Sequence, residues 1–455
     1  MSAPTDLPAG MTDWIAAIGG GTITRLERHV ARREAWVVDV TREDGSVLEG
    51  FLRLEREDVP ADSSSSLRKE TKIIEALAAN GIPVPAVHGR SDELRCTLFE
   101  RVRGRSDIDK LTDQRQQRAV MEDFIRVVAR MHTLDVDALG LAEHFAHVPA
   151  DAREAALNDV DLALATYDRF LVRYCEPLIT YAVDWLRRNA PTEMARLSLV
   201  QGDTGPVNFM FDGDRVTALV DFEWGHYGDP LEDLGNICVR EFWNPSGGLD
   251  GLFRLYEQES GIPYSRFGAQ YYRVQQNVRG MIPIHAVTAH AHPTEPLAWY
   301  LAYRYVGDRA TCESIAEAAG VHVERPEMPD DRGNGGVLAR AAAYTLANDV
   351  VPAITDPFAA SRANDVRILV EVMERRRRFG AELAAIECAE LAGLLGAQPD
   401  TLEAGLAALD AAIASGGLDD AATITYLTRR AYRDEWLHAP AVALYPDRRW
   451  SPTDP

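Results

Sequence analysis

The chain has 455 residues, is 46% apolar and 26% charged, and carries a formal net charge of −22. That length exceeds one hydrophobic core and implies several domains, and the composition is ordinary for a soluble globular protein. Such an acidic surface excludes nucleic acid and anionic membrane as partners, and no apolar run is long enough to span a bilayer.

The start, MSAPTDLPAGMTDW, has neither the basic nor the apolar region of a signal peptide. The five cysteines (Cys96, Cys175, Cys238, Cys312, Cys388) form no CxxC pair, which fits reduced thiols and a cytoplasmic setting. Only three lysines are present, Lys69, Lys72 and Lys110, so a phosphate-gripping cation on a strand has to be arginine.

In chain order, a lead-in with one short helix precedes three strand-like segments, Thr22–Val30, Trp36–Thr41 and Val47–Leu54. The turn Arg42 to Ser46 joins the last two as a hairpin. Alternation in FLRLE sends Arg53 to the face opposite Leu52 and Leu54. A polar loop, Glu55–Ser66, leads into a helix over Leu67–Asn80, capped by Ser66, striped by Ile73, Ile74 and Leu77, and stopped by Gly81, Pro83 and Pro85. Strand-like pieces at Ala86–Gly89 and Arg95–Arg101 complete a small antiparallel sheet carrying one helix.

From there the pattern is helical: Gln114–His132, Asp159–Arg188 with a break near Pro177, Leu249–Ser260, Arg266–Gly280 and Leu297–Ala319. ERPEMPDDRGNGG, Glu324–Gly336, reads as a linker. Beyond it, Val337–Ile354, Ala363–Arg378, Ala381–Leu395 and Thr401–Ala414 predict an all-helical domain with an irregular tail from about Trp436. Its role is to pack on the rest of the chain or to make a homodimer. The expected fold is therefore α+β. Its expected parts are 1–102, 103–323, the linker 324–336 and the helical 337–455.

The chemistry sits in Leu197–Gly235, inside the helical region. Asp203 follows the run Leu197–Val200, Asn208 comes five residues later, and Asp221 directly follows Val216–Val220. Read as strand, loop, strand, turn, strand, the stretch gathers the three at one end of a small sheet. Two acids and an amide oxygen suit a hard divalent cation. Asp229 and Asp233, in GDPLEDLG, read instead as backbone-bracing and helix-start residues. His285, His290 and His292 lack metal-site spacing, and Arg375–Arg378 reads as a solvated or carboxylate-pairing helix face.

VQGDTGPVNFMF and ALVDFEWGHYGDPLEDLG, in that order, resemble the aminoglycoside phosphotransferase-like kinases, whose signature is HGD-x4-N followed by a strand ending in Asp. LRKETKIIEALAANGIPVPAVHG, FLRLE and ARMHTLDVDALGL match upstream parts in the right order, so the resemblance covers roughly residues 12 to 320. It implies a two-lobed protein-kinase-like fold that binds ATP and Mg2+ and phosphorylates a small-molecule hydroxyl. By position it implies Asp203 as the base at the acceptor, Asn208 and Asp221 on Mg2+, Arg53 on the α/β-phosphates and Glu70 paired with Arg53. Phe99, Glu100, Arg101 and Val102 would be the hinge that holds adenine.

Two positions depart from the family. Gln201 stands where relatives have a loop-bracing histidine, and Gln also donates and accepts. The loop His29–Glu34 lacks phosphate-approach glycines, for which Arg32 or Arg33 would substitute by direct charge. The TGPVN loop and the long helical extension favour a metabolic alcohol or hydroxyacyl-CoA acceptor. The alternatives are an antibiotic kinase, a non-catalytic pseudokinase and a metal-dependent phosphohydrolase, the last needing neither Arg53 nor Glu70.

Overall fold

The computed structural model describes residues 7–30, 34–55, 66–171, 175–331 and 336–454. Arg32 and Arg33 lie outside the described residues, as does most of the loop 55–66.

Helix α1 (Met11–Gly19) precedes β1 (Gly21–Val30), β2 (Glu34–Arg42) and β3 (Val47–Leu54), then α2 (Leu67–Ala79), β4 (Val87–Ser91) and β5 (Cys96–Glu100). The strands form one antiparallel sheet in the order β1-β2-β3-β5-β4. The alternation expected in β3 holds. Leu48 and Leu52 sink into a core with Trp36, Val38, Val40 and Leu98 against Met11 and Ile15 of α1, and Leu54 packs on it. Phe51 and Arg53 therefore share the opposite face. Ser66 caps α2 by accepting from the Lys69 N–H at 3.2 Å, and Ile73, Ile74 and Leu77 are buried.

The rest is helical, with two short ladders inserted. Helices α3 (Gln114–His132), α4 (Val136–Leu139), α5 (Ala152–Leu171) and α6 (Pro177–Asn189) come first. Then β6 (Ser198–Val200) pairs with β9 (His226–Gly228), and β7 (Phe209–Asp212) pairs with β8 (Arg215–Leu219). The expected single small sheet is thus two ladders, because β6 pairs across the whole motif and not with its chain neighbour. Next come α7 (Leu231–Trp243), α8 (Leu252–Ser260), α9 (Arg266–Ala289) and α10 (Leu297–Ala318). The C-terminal helices are α11 (Val337–Thr345), α12 (Pro357–Leu395), α13 (Leu402–Ser415), α14 (Asp420–Leu437) and α15 (Ala439–Val442).

Three helical expectations change. The expected Val337–Ile354 is α11 followed by a π turn, Leu346–Val350, and a 3-10 turn, Val351–Ala353. The segments 363–378 and 381–395 are one helix, α12, of 39 residues. A glycine costs a helix only ~1 kcal/mol, and around Gly380 the side chains Phe379 and Leu383 pack on Leu437. Helix α14 was absent from the expected elements. Its charged sequence hides a buried stripe of Ile424, Leu427 and Ala431. Among the described residues no helix is long and apolar enough to cross a membrane. No disulfide joins the five cysteines.

By its contacts the chain falls into two compact units, 1–155 with 192–266 and 451–455, and 156–191 with 267–450. This grouping runs across the chain-order boundaries at 102, 323 and 336. In the first unit the segment 451–454 returns to α8. The buried Asp454 carboxylate accepts the N–H groups of Gly251, Phe253 and Arg254 at 2.9, 3.2 and 3.2 Å, capping that helix. Asp454→Ala leaves these donors unpaired and is expected to cost about 1–2 kcal/mol. The urea midpoint should fall at an unchanged m value.

In the second unit, Glu176 caps α6 and is buried beside Arg430 at 2.7 Å and Arg304 at 3.3 Å. Burial pushes its carboxyl up, but Arg430, His285 and Arg304 overcome this and hold it at about 2, below the ordinary 4.5. A depressed acid stabilises the fold fully above its unfolded value, and the contribution is lost as pH falls towards the folded value. Glu176→Gln takes the nearest carboxylate from Arg430, leaving it Glu387 and Asp434 at 3.7 Å, and should cost about 3 kcal/mol at pH 7. The gap to wild type should narrow as pH falls from 4.5 towards 2, read by urea unfolding across that range. The arginine run pairs with carboxylates: Arg378 meets Asp331 at 2.9 Å, Arg377 meets Glu374 at 2.8 Å, and Arg375 also pairs with Asp331. His285 is buried on Asp308 at 2.7 Å, whereas the exposed His292 bonds Thr294.

Candidate active site

The loop after β6 is braced from below. The Asp233 carboxylate, in the first turn of α7, accepts the N–H groups of Gln201 at 2.9 Å and Gly202 at 3.0 Å. It also meets His132 Nε2 at 3.0 Å, and His132 Nδ1 bonds the Tyr256 hydroxyl at 2.8 Å. Burial pushes the Asp233 carboxyl up, but His132 and the Gln201 N–H bring it below its ordinary value. Asp229 accepts the Leu231 N–H at 2.9 Å and starts α7. Both aspartates therefore brace backbone. Gln201 donates from Nε2 to the carbonyls of Val220 at 2.5 Å and Asn208 at 3.3 Å. It ties the loop to the end of β8 through its donor end, while Oε1 is buried without a partner among the described residues.

Asn208 donates from Nδ2 to the Asp203 carbonyl at 2.7 Å and to Asp203 Oδ2 at 3.0 Å. The Val220 N–H in turn reaches the Asn208 carbonyl at 3.1 Å, next to Asp221. Asp221 sits at φ 64°, in the left-handed region rare for a residue with a side chain. Backbone strain of this kind clusters at functional sites.

On the sheet side, Arg53 Nη1 meets Glu70 Oε1 of α2 at 2.6 Å, with Glu70 buried. Burial works against the Arg53 charge, but the fields of Glu70 and Asp221 raise its pKa above the ordinary value. Arg53 and Asp221 are thus electrostatic neighbours. Helix α2 reaches this place because position 225 is glycine, where a Cβ would lie 2.8 Å from Ile73 Cδ1. Asp203, Asn208, Asp221, Arg53 and Glu70 therefore meet at one place in the first unit.

Phe99 pairs with Phe51 across β5 and β3, two residues along from the Arg53–Thr97 pair. The Glu100 N–H donates to the Ala86 carbonyl at 2.7 Å, and the Arg101 N–H donates to the Glu49 carbonyl at 3.0 Å. The Arg101 guanidinium is held by Glu49 and Asp39, each at 2.9 Å. Val102 follows, half-buried.

Sequence reasoning missed two residues here. Arg240 of α7 grips Asp203 as a fork, Nε on Oδ1 at 2.8 Å and Nη2 on Oδ2. The loop comes this close because residue 205 is glycine at φ 139°, where a Cβ would lie 2.6 Å from Arg240 Cβ. Helical spacing held the signal: Arg240 lies seven residues beyond Asp233, on the same face of α7. The second is Phe51, a half-buried ring on the Arg53 face, edge-on to His29 at 5.5 Å between centroids.

Residues 22–269 match the profile of the Phosphotransferase enzyme family, more than half of the chain. The chain belongs to this phosphotransferase family. Relatives include the rat (Rattus norvegicus) protein "Acyl-CoA dehydrogenase family member 11", 25% identical over 205 residues, which are 43% of this chain and 26% of that protein. Its mouse (Mus musculus) counterpart is 26% identical over the same shares. The chain therefore spans about a quarter of the length of the curated relatives it matches. A Ralstonia eutropha jmp134 structure, described as a candidate aminoglycoside phosphotransferase, has a TM-score of 0.54 at 22% identity and covers 68% of this chain and 97% of its own. That likeness carries the fold. The phosphotransferase family member described here thus has the expected architecture, an antiparallel sheet with one helix, a helical remainder of protein-kinase-like type and further C-terminal helices.

Proposed function

We propose that the chain is an ATP- and Mg2+-dependent kinase that phosphorylates a hydroxyl group of a small molecule in the cytoplasm. The observation that carries this reading is the meeting of Asp203, Asn208 and Asp221 with the Arg53–Glu70 pair. A hydrolase using the same carboxylates has no need of the buried pair.

A transferring phosphoryl group spreads its charge over several oxygens, so the protein mainly positions and neutralises. Arg53 is held by Glu70 and cannot lose its charge, which suits it to the donor phosphates. Asn208 has its Nδ2 engaged twice, which leaves Oδ1 as the atom turned to a cation. With the Asp221 carboxylate this makes a hard oxygen donor set that fits Mg2+, an ion that keeps waters and takes phosphate oxygens. The bound ion would supply charge neutralisation on the phosphates.

Asp203 is the acceptor-side group. A carboxylate has about four acceptor positions. The fork from Arg240 and the bond from Asn208 use three, leaving one on Oδ1 for the acceptor hydroxyl. Arg240 fixes the plane of that carboxylate, so the remaining lone pair has a defined direction. The flat ring of Phe51 offers a stacking surface for the nucleobase, and the Val102 amide is the hinge group left for it.

A metabolic alcohol or a hydroxyacyl-CoA is the preferred acceptor. The similarity to proteins named as acyl-CoA dehydrogenase family members supports the thioester. The test is a thermal shift with ATP and Mg2+, followed by an acceptor screen read by ATP consumption with hydroxyacyl-CoAs and aminoglycosides as arms. At a hundredfold excess over Kd, nucleotide should raise stability by about 2.7 kcal/mol. Absence of any shift would count against the kinase.

A further inference from the structure

We infer that the hairpin of α11 and the first half of α12 is the contact surface for a second copy of this chain, in an isologous dimer. Helix α11 continues through a π turn and a 3-10 turn, and of residues 337–353 only Ala343 is buried. Helices in water are held mainly by packing, not by propensity, so a face this bare calls for a cover. The hairpin also holds the six most exposed large apolar side chains among the described residues. These are Leu338 at 84%, Phe358 at 73%, Val337 at 69%, Tyr344 at 66%, Met373 at 60% and Val366 at 51%. Val337 and Tyr344 are seven residues apart on α11, and Val366 and Met373 are seven apart on α12, so each pair lies on one stripe of its helix.

Area and charge select the occupant. Covering these six side chains would remove roughly 700 Å² from each copy, close to the ~800 Å² per partner of a stable interface. Residues 336–373 carry three arginines and four carboxylates, nearly neutral in a chain whose net charge is −22. Two such hairpins approach without the repulsion that most of the surface imposes. An apolar, near-neutral patch is complementary to itself under a two-fold axis, and a second copy is always present at equal concentration. Helices with heptad-spaced apolar stripes, two from each copy, then form a four-helix layer.

Sedimentation equilibrium of the full chain should give twice 50.3 kDa at micromolar concentration. Leu338→Glu with Phe358→Glu, two exposed positions, should weaken association at least ~100-fold and yield the monomer. Its far-UV circular dichroism should match wild type at wild-type concentrations. In wild type, hydrogen exchange of the α11 amides should slow as concentration rises through dissociation. A wild-type chain that stays at 50.3 kDa at tens of micromolar, whatever other protein it then binds, overturns the inference. So does a folded variant that remains dimeric, or α11 exchange independent of concentration.

Discussion

Asp203→Asn is expected to lower phosphoryl transfer by roughly 10²–10⁴-fold, the range for a group that positions and receives a proton at the reacting oxygen. Nucleotide-induced thermal stabilisation should persist, since Arg53, Asn208 and Asp221 remain. The substitution keeps the shape of the side chain and one oxygen, so a loss of rate reports the lost charge and basicity. Arg240→Gln is the matching probe. If Arg240 acts through Asp203, the double variant should be no slower than Asp203→Asn alone. The single Arg240→Gln should be impaired less, because the carboxylate remains and only its orientation is released. Transfer by Asp203→Asn at near wild-type rate would remove this residue from the acceptor side.

The second large effect is at Arg53. Arg53→Met should reduce kcat/KM for ATP by about 10²–10³-fold, the scale of a lost electrostatic contact to developing phosphate charge. The variant also strands Glu70, which is 1% exposed, and an uncompensated buried charge costs about 3–5 kcal/mol. A drop in activity could therefore report misfolding. Glu70→Gln added to Arg53→Met removes the stranded charge and should recover most of the stability. It should recover none of the activity, because the phosphate cation is still missing. Recovery of activity along with stability would make Arg53 and Glu70 an ordinary structural pair. Urea unfolding and initial rates on wild type, Arg53→Met and the double variant decide between these outcomes.

Much of this site was legible because its residues sit at positions with local rules. Arg53 was placed by period-two alternation in β3, and Leu52 in the core confirms the face. The α2 helix announced itself through Ser66 and its apolar stripe. Asp229 and Asp233 read as braces because a carboxylate at a helix start has backbone N–H groups to accept. What stayed hidden depends on long-range meeting. Nothing local tells that Arg240 reaches back 37 residues to Asp203, or that His132 lies under Asp233 across 101 residues. The pairing of β6 with β9 is similarly non-local, and chain neighbours were the natural wrong choice. Helix α14 was concealed by its own charges, which pair with partners outside the helix: Arg433 with Glu390 and Arg430 with Glu176.

The cap on α8 has a consequence for the order in which the protein assembles on the ribosome. The helix begins at Leu252, yet the carboxylate that satisfies its first amides is Asp454, about two hundred residues later. At about 5–20 residues per second, some 10–40 s separate the synthesis of the two. During that interval the whole of 267–450 emerges, and the unit that holds the proposed site waits with one helix end unsatisfied. Nascent chains stalled anywhere in that stretch would carry every residue of the proposed site and still lack its last fastening. They are the species on which chaperones and proteases should act first.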